Sequence, residues 1–165
     1  MNKKDIIQML DERKIPYKLA EHEAIYTMAE SIALNLPDGD AVAKNLFIRD
    51  DKKRQYLLLT VKEGKRLDLK TVQTRLGTRR LSFASEEDLQ RILGLVRGSV
   101  TPLGALNDEE RRVEFFIDAD FRDNIIGVHP NTNTATVWMQ ANDLYQIIKQ
   151  HGNKVEWMDT VPLPL

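Results

Sequence analysis

Two apolar runs separated by a short charged stretch constrain the fold of this chain most strongly. The runs cover residues 41–48 and 55–61, and residues 49–54 between them are rich in Asp, Lys and Arg. Apolar runs of this length bounded by turn-forming residues are typical of strands. The pattern therefore predicts a β-hairpin, and with it an antiparallel strand pair inside a sheet.

Short helices and further strands follow one another irregularly along the rest of the chain. Because they lack the regular βαβ alternation of a doubly wound fold, we predict a single α+β domain over residues 1–165 with a mixed, strongly curved sheet. The predicted helices cover residues 3–14, 28–34, 69–76, 85–94 and 143–150, and the other predicted strands cover 17–20, 80–84, 113–117, 125–128, 134–139 and 155–158.

Helix starts are marked by residues whose side chains can accept a hydrogen bond from the first turn. Thr27 and Glu30 have the spacing of a capping box, and Asp68 and Ser85 stand directly before the next two helices. Asn142 is predicted to cap the helix that begins at residue 143. Glycines follow the last three helices, as expected where a chain leaves a helix in the left-handed conformation.

Composition excludes several classes of site. The chain has no cysteine, which rules out disulfides, thiolate metal sites and a cysteine nucleophile. No HExxH pair, GxSxG elbow or phosphate-binding glycine loop is present, so we expect no metal and no cofactor. No apolar run approaches the ~20 residues that span a bilayer, and no signal peptide is evident. These features predict a cytoplasmic protein with no membrane partner.

Positive charge is concentrated in one part of the chain. Residues 49–80 hold eleven Lys or Arg against four Asp or Glu, a local net charge of +7, whereas residues 101–165 have a net charge of −5. A segment this basic can contact phosphate groups, and its binding would then weaken with salt. A solvated hairpin and helix rich in lysine is an equally good interpretation of the charge alone.

The three histidines differ in their surroundings. His151 lies at a predicted helix C-terminus, where the helix dipole favours a cation, and His22 lies in a polar stretch. Both patterns favour structural roles. His129 follows an apolar strand and precedes a polar turn over residues 130–134, so its side chain can face a pocket. Neither a structural nor a functional role is excluded for it.

Lys44 and the loop over residues 98–104 are the two unusual local features. Alternation along the strand places Lys44 between aliphatic neighbours, with Val42 and Leu46 on its own face. Its stem can cover apolar surface while the ammonium reaches water, or the ammonium can hold an anion in a cleft. In the loop, two glycines and a proline surround Ser99 and Thr101, which suits either backbone contacts to a ligand or a tight connection.

Six segments, in order along the chain, form a recognisable set. They are His22-x-Ala24-x-Tyr26-Thr27, Ala43 to Asp50, Asp68-Leu69-Lys70, Arg80 to Ser85, Gly98 to Gly104 with Asn107-Asp108, and His129-Pro130 with Asn133-Thr134. In this order they resemble the YbaK/ProX family of trans-editing aminoacyl-tRNA deacylases. The similarity runs from about residue 5 to about residue 150 and is strongest to the proline-tRNA editing group, which includes the PrdX and alanine-specific ProXp proteins.

This resemblance implies a fold, a reaction and a set of site residues. The fold is a small α+β domain around a mixed, partly barrel-like sheet with helices around it, and the reaction is hydrolysis of the ester that joins a mischarged amino acid to the terminal adenosine of tRNA. Lys44 would bind the terminal phosphate or adenosine. Gly98, Ser99, Thr101 and Pro102 match the loop that orients ester and water, His129 would line the amino-acid pocket, and Asn45, Tyr26 and Thr27 would form pocket walls.

The loop also bears on which amino acid is removed. Its Gly-Ser-Val-Thr-Pro form followed by Asn107-Asp108 is similar to the alanine-specific branch, although Arg97 stands where that branch leads us to expect proline. The implied substrate is thus Ala-tRNA(Pro), with prolyl-tRNA synthetase as a possible partner and no DNA. The alternatives are Cys-tRNA or Ser-tRNA as substrate, or a non-catalytic module that senses aminoacyl-tRNA.

Overall fold

The computed structural model describes residues 1–23 and 41–160, and these form four α-helices and eight strands. The helices are α1 (Lys3–Glu12), α2 (Leu69–Leu76), α3 (Glu86–Leu93) and α4 (Ala141–His151), with short 3-10 helices at Pro102–Asn107 and Ala119–Phe121. The strands are β1 (Tyr17–Glu21), β2 (Ala43–Asp50), β3 (Tyr56–Lys62), β4 (Leu81–Phe83), β5 (Val113–Asp118), β6 (Ile125–Val128), β7 (Ala135–Gln140) and β8 (Val155–Met158).

The strands form two sheets. The five-stranded sheet has the order β4-β2-β3-β5-β8, and the three-stranded sheet has the order β1-β7-β6. The predicted hairpin is the antiparallel pair β2–β3, while β3–β5 and β5–β8 are parallel pairs. The α+β class and the mixed sheet are therefore confirmed. The sheets do not close into a barrel, and a single parallel bridge between Val42 and Gly127 connects them.

Strand β2 separates two hydrophobic clusters. Ala43 and Phe47 pack into the larger cluster, which is shared by α1, α3, α4 and both sheets, whereas Ile48 packs into a smaller cluster with Val72 of α2. Successive residues of a strand point to opposite faces, which explains this division. The predicted alternation along residues 42–47 is confirmed, and it sets the two directions in which the side chains of β2 leave the sheet.

Local capping signals predicted some helix boundaries well and others not. Helix α2 begins after Asp68, whose side chain accepts from the Lys70 amide at 3.0 Å, and ends at Gly77 with φ of +66°. Ser85 caps α3 in the predicted way by accepting from the Asp88 amide.

The capping prediction for the last helix is wrong. The N-cap of α4 is Gln140, and Asn142 lies inside the helix, where its amide group donates to the Asp123 carboxylate at 2.7 Å. The Asn142 side chain bonds to a residue distant in sequence, Asp123, and not to the backbone at the helix start. Helix α1 also ends two residues earlier than predicted, at Glu12.

The predicted helix at 28–34 and the Thr27–Glu30 capping box lie outside the described residues. Among the residues that are described, none of the helices has the length and apolar character needed to cross a membrane.

Candidate functional site

The loop that follows α3 owes its shape to a glycine and a buried serine. Gly98 has φ of +87°, a left-handed conformation that glycine adopts without the strain a Cβ would bring. The Ser99 hydroxyl donates to the Val96 carbonyl at 2.7 Å and accepts from the Val96 amide at 3.2 Å. Because Ser99 is buried and occupied by these bonds, its hydroxyl holds the loop in shape and is not presented as a nucleophile.

Thr101 joins this loop to the segment that carries His129. Its hydroxyl donates to the His129 carbonyl at 2.7 Å and accepts from the Leu103 amide at 3.3 Å. The second bond caps the 3-10 helix in which Pro102 is the first residue, a position that suits proline because no N–H is needed there. The structure therefore brings the predicted loop residues and His129 together through one fully buried side chain.

The same loop carries backbone donors that find no acceptor in the described part of the chain. Within residues 1–23 and 41–160, the N–H groups of Gly98, Val100 and Thr101 have no hydrogen-bond acceptor. Thr101 is a buried residue and Gly98 and Val100 are half-buried residues, and most backbone N–H groups in the interior of folded proteins are paired. An oxygen of a ligand is the kind of acceptor that this arrangement suits.

His129 is held in one orientation and one protonation state. Its Nδ1 lies 2.9 Å from the Ala135 carbonyl oxygen, which can only accept, so Nδ1 carries the proton and Nε2 presents a lone pair. Burial lowers the pKa of His129 below its ordinary value of 6.5, and the nearby His22 lowers it further, against the opposing effect of the Ala135 hydrogen bond. The imidazole is consequently neutral at physiological pH.

His22 is a second histidine at this position, which the sequence favoured as structural. The centroids of its ring and the His129 ring are 6.3 Å apart. Its Nε2 lies 2.8 Å from the Thr136 hydroxyl and its Nδ1 lies 2.7 Å from the Glu23 carbonyl. These bonds fix the ring beside His129, and nothing in the sequence near either residue indicated that they would be neighbours.

A groove of about 420 Å³ runs between the edge of β2, the end of β4 and the loop after α3. Asn45 and Gly98, both predicted site residues, line it together with Val100, Phe83 and Arg97. Inside the groove the Asn45 side-chain oxygen accepts from the Thr60 hydroxyl at 2.7 Å, which holds the amide in place. Phe83 is a groove residue to which the sequence assigned no role, although it belongs to a segment that carries the family resemblance. Arg97, which stands where that resemblance leads us to expect proline, would either loosen the loop or add a phosphate contact, and it lines the groove.

Lys44 leaves β2 on the opposite face from Asn45. Its ammonium donates to the Lys65 carbonyl at 3.2 Å, and it does not line the groove. The backbone of Lys44 is nevertheless close to the His129 segment, because a parallel bridge joins Val42 to Gly127. Lys44 lies two positions after Val42, and His129 lies two positions after Gly127. The other two predicted wall residues, Tyr26 and Thr27, lie outside the described residues.

An ion-pair network supports the turn that Lys44 contacts. The Lys65 ammonium lies 2.9 Å from the Asp118 carboxylate and 2.6 Å from that of Asp120. Burial alone would raise the pKa of Asp118, but hydrogen bonds from Lys65 and from the Lys62 and Asp120 amides outweigh it and hold the pKa below its ordinary value. In the described part of the chain, no cluster of three or more His, Asp or Glu side chains could hold a metal ion.

Comparisons with known proteins agree with one another. The chain matches the family model for the aminoacyl-tRNA editing domain over residues 22–147. It is 43% identical over 152 residues to the prolyl-tRNA editing protein ProX of Acetoanaerobium sticklandii, covering 92% of this chain and 93% of that protein. It is 30% identical over 156 residues to the prolyl-tRNA synthetase associated domain-containing protein 1 of Xenopus laevis, covering 92% of each.

The fold has a match among solved structures as well. A crystal structure described as a candidate trans-editing enzyme for prolyl-tRNA synthetase superposes with a TM-score of 0.69, covering 95% of each chain at 20% identity. An identity this low supports the fold alone. The mixed α+β architecture found here is thus that of a known group of structures.

Proposed function

The chain belongs to the aminoacyl-tRNA editing domain family, and on this premise we propose that it removes alanine from mischarged tRNA(Pro) by hydrolysing the ester at the terminal adenosine. Its extensive similarity to a prolyl-tRNA editing protein supports tRNA(Pro) as the substrate class. The structural observation that carries the proposal is the junction between the 98–102 loop and His129, which Thr101 makes. That junction ties the loop that carries the unpaired backbone donors to the backbone of the residue whose neutral imidazole we assign to the site.

The reaction makes modest chemical demands, which this site can meet. Water adds its oxygen to the acyl carbon, the bond from that carbon to the ribose oxygen breaks, and the ribose hydroxyl regains a proton. Negative charge develops on the carbonyl oxygen in the transition state, and N–H donors fixed in advance stabilise such charge. The amides of Gly98, Val100 and Thr101 are candidates for this role, and the second ribose hydroxyl of the terminal adenosine would help to position the water.

His129 suits the amino group of the substrate. An aminoacyl ester carries an α-ammonium group, whose protons need acceptors inside a pocket. The lone pair on Nε2 of His129 is such an acceptor, because Nδ1 is occupied by the Ala135 carbonyl. A histidine kept neutral by burial accepts from this cation without opposing its charge, which a protonated ring would do. We assign His129 to substrate binding on this ground.

Lys44 would anchor the 3′ end of the tRNA through a phosphate or the terminal adenosine. Among the described residues its ammonium is held by one carbonyl, that of Lys65, at 3.2 Å, so little is lost when it turns to an anionic ligand. The Lys44→Ala variant should raise KM for Ala-tRNA(Pro), and Lys44→Arg should recover part of the loss because the positive charge is kept. If Lys44→Ala leaves KM and kcat unchanged, this assignment is wrong.

Selection against proline follows from size. A synthetase site shaped for proline rejects a smaller amino acid by only about 1–3 kcal/mol, because missing methylenes contribute little. A second pocket that excludes proline by size can hydrolyse what does enter. Serine and cysteine differ from alanine by one heavy atom, so a pocket sized for alanine separates them less sharply than it separates proline.

The test is turnover of charged tRNA(Pro) by the purified protein. We expect several equivalents of alanine to be released per protein molecule from Ala-tRNA(Pro), with slower release from Ser-tRNA(Pro) and Cys-tRNA(Pro). If serine or cysteine is released faster than alanine, that amino acid and not alanine is the preferred substrate. Tight binding of Ala-tRNA(Pro) without any turnover would contradict hydrolysis and favour a module that senses charged tRNA. Addition of prolyl-tRNA synthetase to the same reaction would show whether the two proteins act together.

A further inference from the structure

Phe83 is an aromatic side chain left in water at the mouth of the groove. It is 62% exposed at the end of β4, although the neighbouring strand residues of β2 are largely buried. Phe83 belongs to neither hydrophobic cluster of the described residues, so it does not contribute to core packing. Val96 is 63% exposed and directly precedes Arg97, in the loop that lines the other side of the groove. Exposed apolar side chains grouped beside a groove are a common sign of a binding surface.

The strand register aligns Phe83 with Lys44. Phe83 pairs directly with Ile48, and paired residues on neighbouring strands point to the same face. Lys44, Leu46 and Ile48 alternate along that same face of β2. Ile48 lies four positions after Lys44 along the strand, a backbone distance of about 13 Å at ~3.3 Å per residue. Phe83 therefore lies on the Lys44 face of the sheet, beside a residue four positions along β2 from Lys44.

Exposed cations lie on the elements next to this aromatic side chain, and one carboxylate, that of Glu86, lines the groove with it. The Arg97 side chain is 83% exposed, and its ion pair with Glu86 is a long contact of 3.8 Å. The pairing of β4 with β2 extends from Phe83 back to Leu81, which lies opposite Asp50 at the end of β2. The turn after β2 is held next to β4 by an ion pair between Asp51 and Arg79. Further exposed cations at this end of the sheet are Lys52, Lys53, Arg54 and Arg80.

An exposed aromatic ring between cations is the arrangement by which proteins hold single-stranded nucleic acid. We propose that Phe83 is a stacking platform for an unpaired base of the tRNA 3′ end, just upstream of the terminal adenosine, and that Arg97 contacts the adjoining phosphate. This inference rests on the proposed function for the nature of the substrate. It adds a binding subsite outside the loop and His129, and it gives the exposed cations of residues 49–80 a place along the path of the RNA.

The experiment measures binding of uncharged RNA, which does not depend on hydrolysis. Two labelled minihelices with the tRNA(Pro) acceptor sequence are compared by fluorescence anisotropy, one ending in unpaired CCA and one with the unpaired nucleotides removed. Stacking of one base on an aromatic ring contributes about 1–3 kcal/mol, so Phe83→Ala should weaken binding of the CCA-ended RNA by about fivefold or more. Binding of the trimmed RNA should not change.

Matched variants separate stacking from general apolar contact and from folding. Phe83→Leu keeps an apolar side chain but no ring, and should lose nearly as much affinity as Phe83→Ala, whereas Phe83→Trp should keep wild-type affinity. Leu19→Ala removes an exposed apolar side chain from the other sheet and serves as the control without effect. The comparison of Leu with Trp at position 83 still decides the matter if Phe83→Ala folds poorly.

Two outcomes would overturn the inference while leaving the proposed hydrolysis intact. The Phe83→Ala variant could bind the CCA-ended RNA as tightly as the wild type, or it could lose affinity equally for both RNAs. If RNA affinity is unchanged and binding to prolyl-tRNA synthetase is lost, the surface is assigned to a protein partner instead. Failure of the proposed function would instead be seen as absent release of alanine by the wild type, whatever the binding data show.

Discussion

The buried Thr101 hydroxyl makes two hydrogen bonds, and its removal should lower the free energy of unfolding by the loss of both. In Thr101→Val, a substitution of nearly the same shape, the His129 carbonyl loses its donor at 2.7 Å and the Leu103 amide loses its capping acceptor at 3.3 Å. Leaving a buried group unpaired costs about 1–3 kcal/mol, and loss of a cap costs about 1 kcal/mol. We expect the free energy of unfolding to fall by about 2–4 kcal/mol.

Urea denaturation followed by tryptophan fluorescence measures this loss, because Trp138 is buried in β7 and Trp157 stacks on Tyr145. With an m-value of about 2 kcal/mol/M, the midpoint should fall by about 1–2 M. Thr101→Ser keeps the hydroxyl and loses one buried methyl group, which costs about 1 kcal/mol. Its deacylation rate should stay closer to that of the wild type. A Thr101→Val variant more stable than Thr101→Ser would refute the role given to the hydroxyl.

Three further predictions concern stability and pH. Burial holds the pKa of His129 below 6.5, so the neutral ring's contribution to folding stability is present above that pH and is lost as the pH falls towards the lower folded pKa. The urea midpoint should therefore decline less between about pH 8 and 5 in His129→Phe than in the wild type. Gly98→Ala should cost about 1–2 kcal/mol at φ of +87° and slow deacylation, whereas Gly77→Ala, at φ of +66° with open space around it, should cost stability alone. The pKa of Asp118 lies below 3.8, so its ion pair with Lys65 stabilises above that pH and is lost in stronger acid; Asp118→Asn should cost roughly 2 kcal/mol at neutral pH and flatten the acid limb of the stability curve.

The parts of the fold that depend on neighbouring residues were predictable from sequence. The bounds of α2 follow from Asp68 before it and Gly77 after it, and the alternation of β2 follows from its apolar pattern. Long-range pairing was not predictable in this way. The parallel pairing of β8 with β5 joins residues some forty positions apart, and the Asp123 partner of Asn142 overrode a local capping signal.

The candidate site shows the same division. The sequence identified His129 and the loop as separate oddities, and only the tertiary structure joins them, through a hydrogen bond between residues 28 positions apart. Lys44 was placed on the predicted face of β2, but its contact with the Lys65 carbonyl depends on how the turn after β3 folds back. The exposure of Phe83 could not be predicted from sequence. Its strand has three residues, Leu81 to Phe83, which is too short for an alternating pattern to show which side chains face solvent. The roles of these residues in catalysis and binding stay predictions.

The most direct test compares release of alanine and of proline from the same tRNA. Ala-tRNA(Pro) and Pro-tRNA(Pro) are each mixed with excess wild-type protein, and the single-turnover rate of ester hydrolysis is measured for both. We expect rapid hydrolysis of Ala-tRNA(Pro) and no acceleration of Pro-tRNA(Pro) hydrolysis over the rate without protein. Equal rates for the two would contradict editing, because a protein that also removes the correct amino acid cannot correct an error.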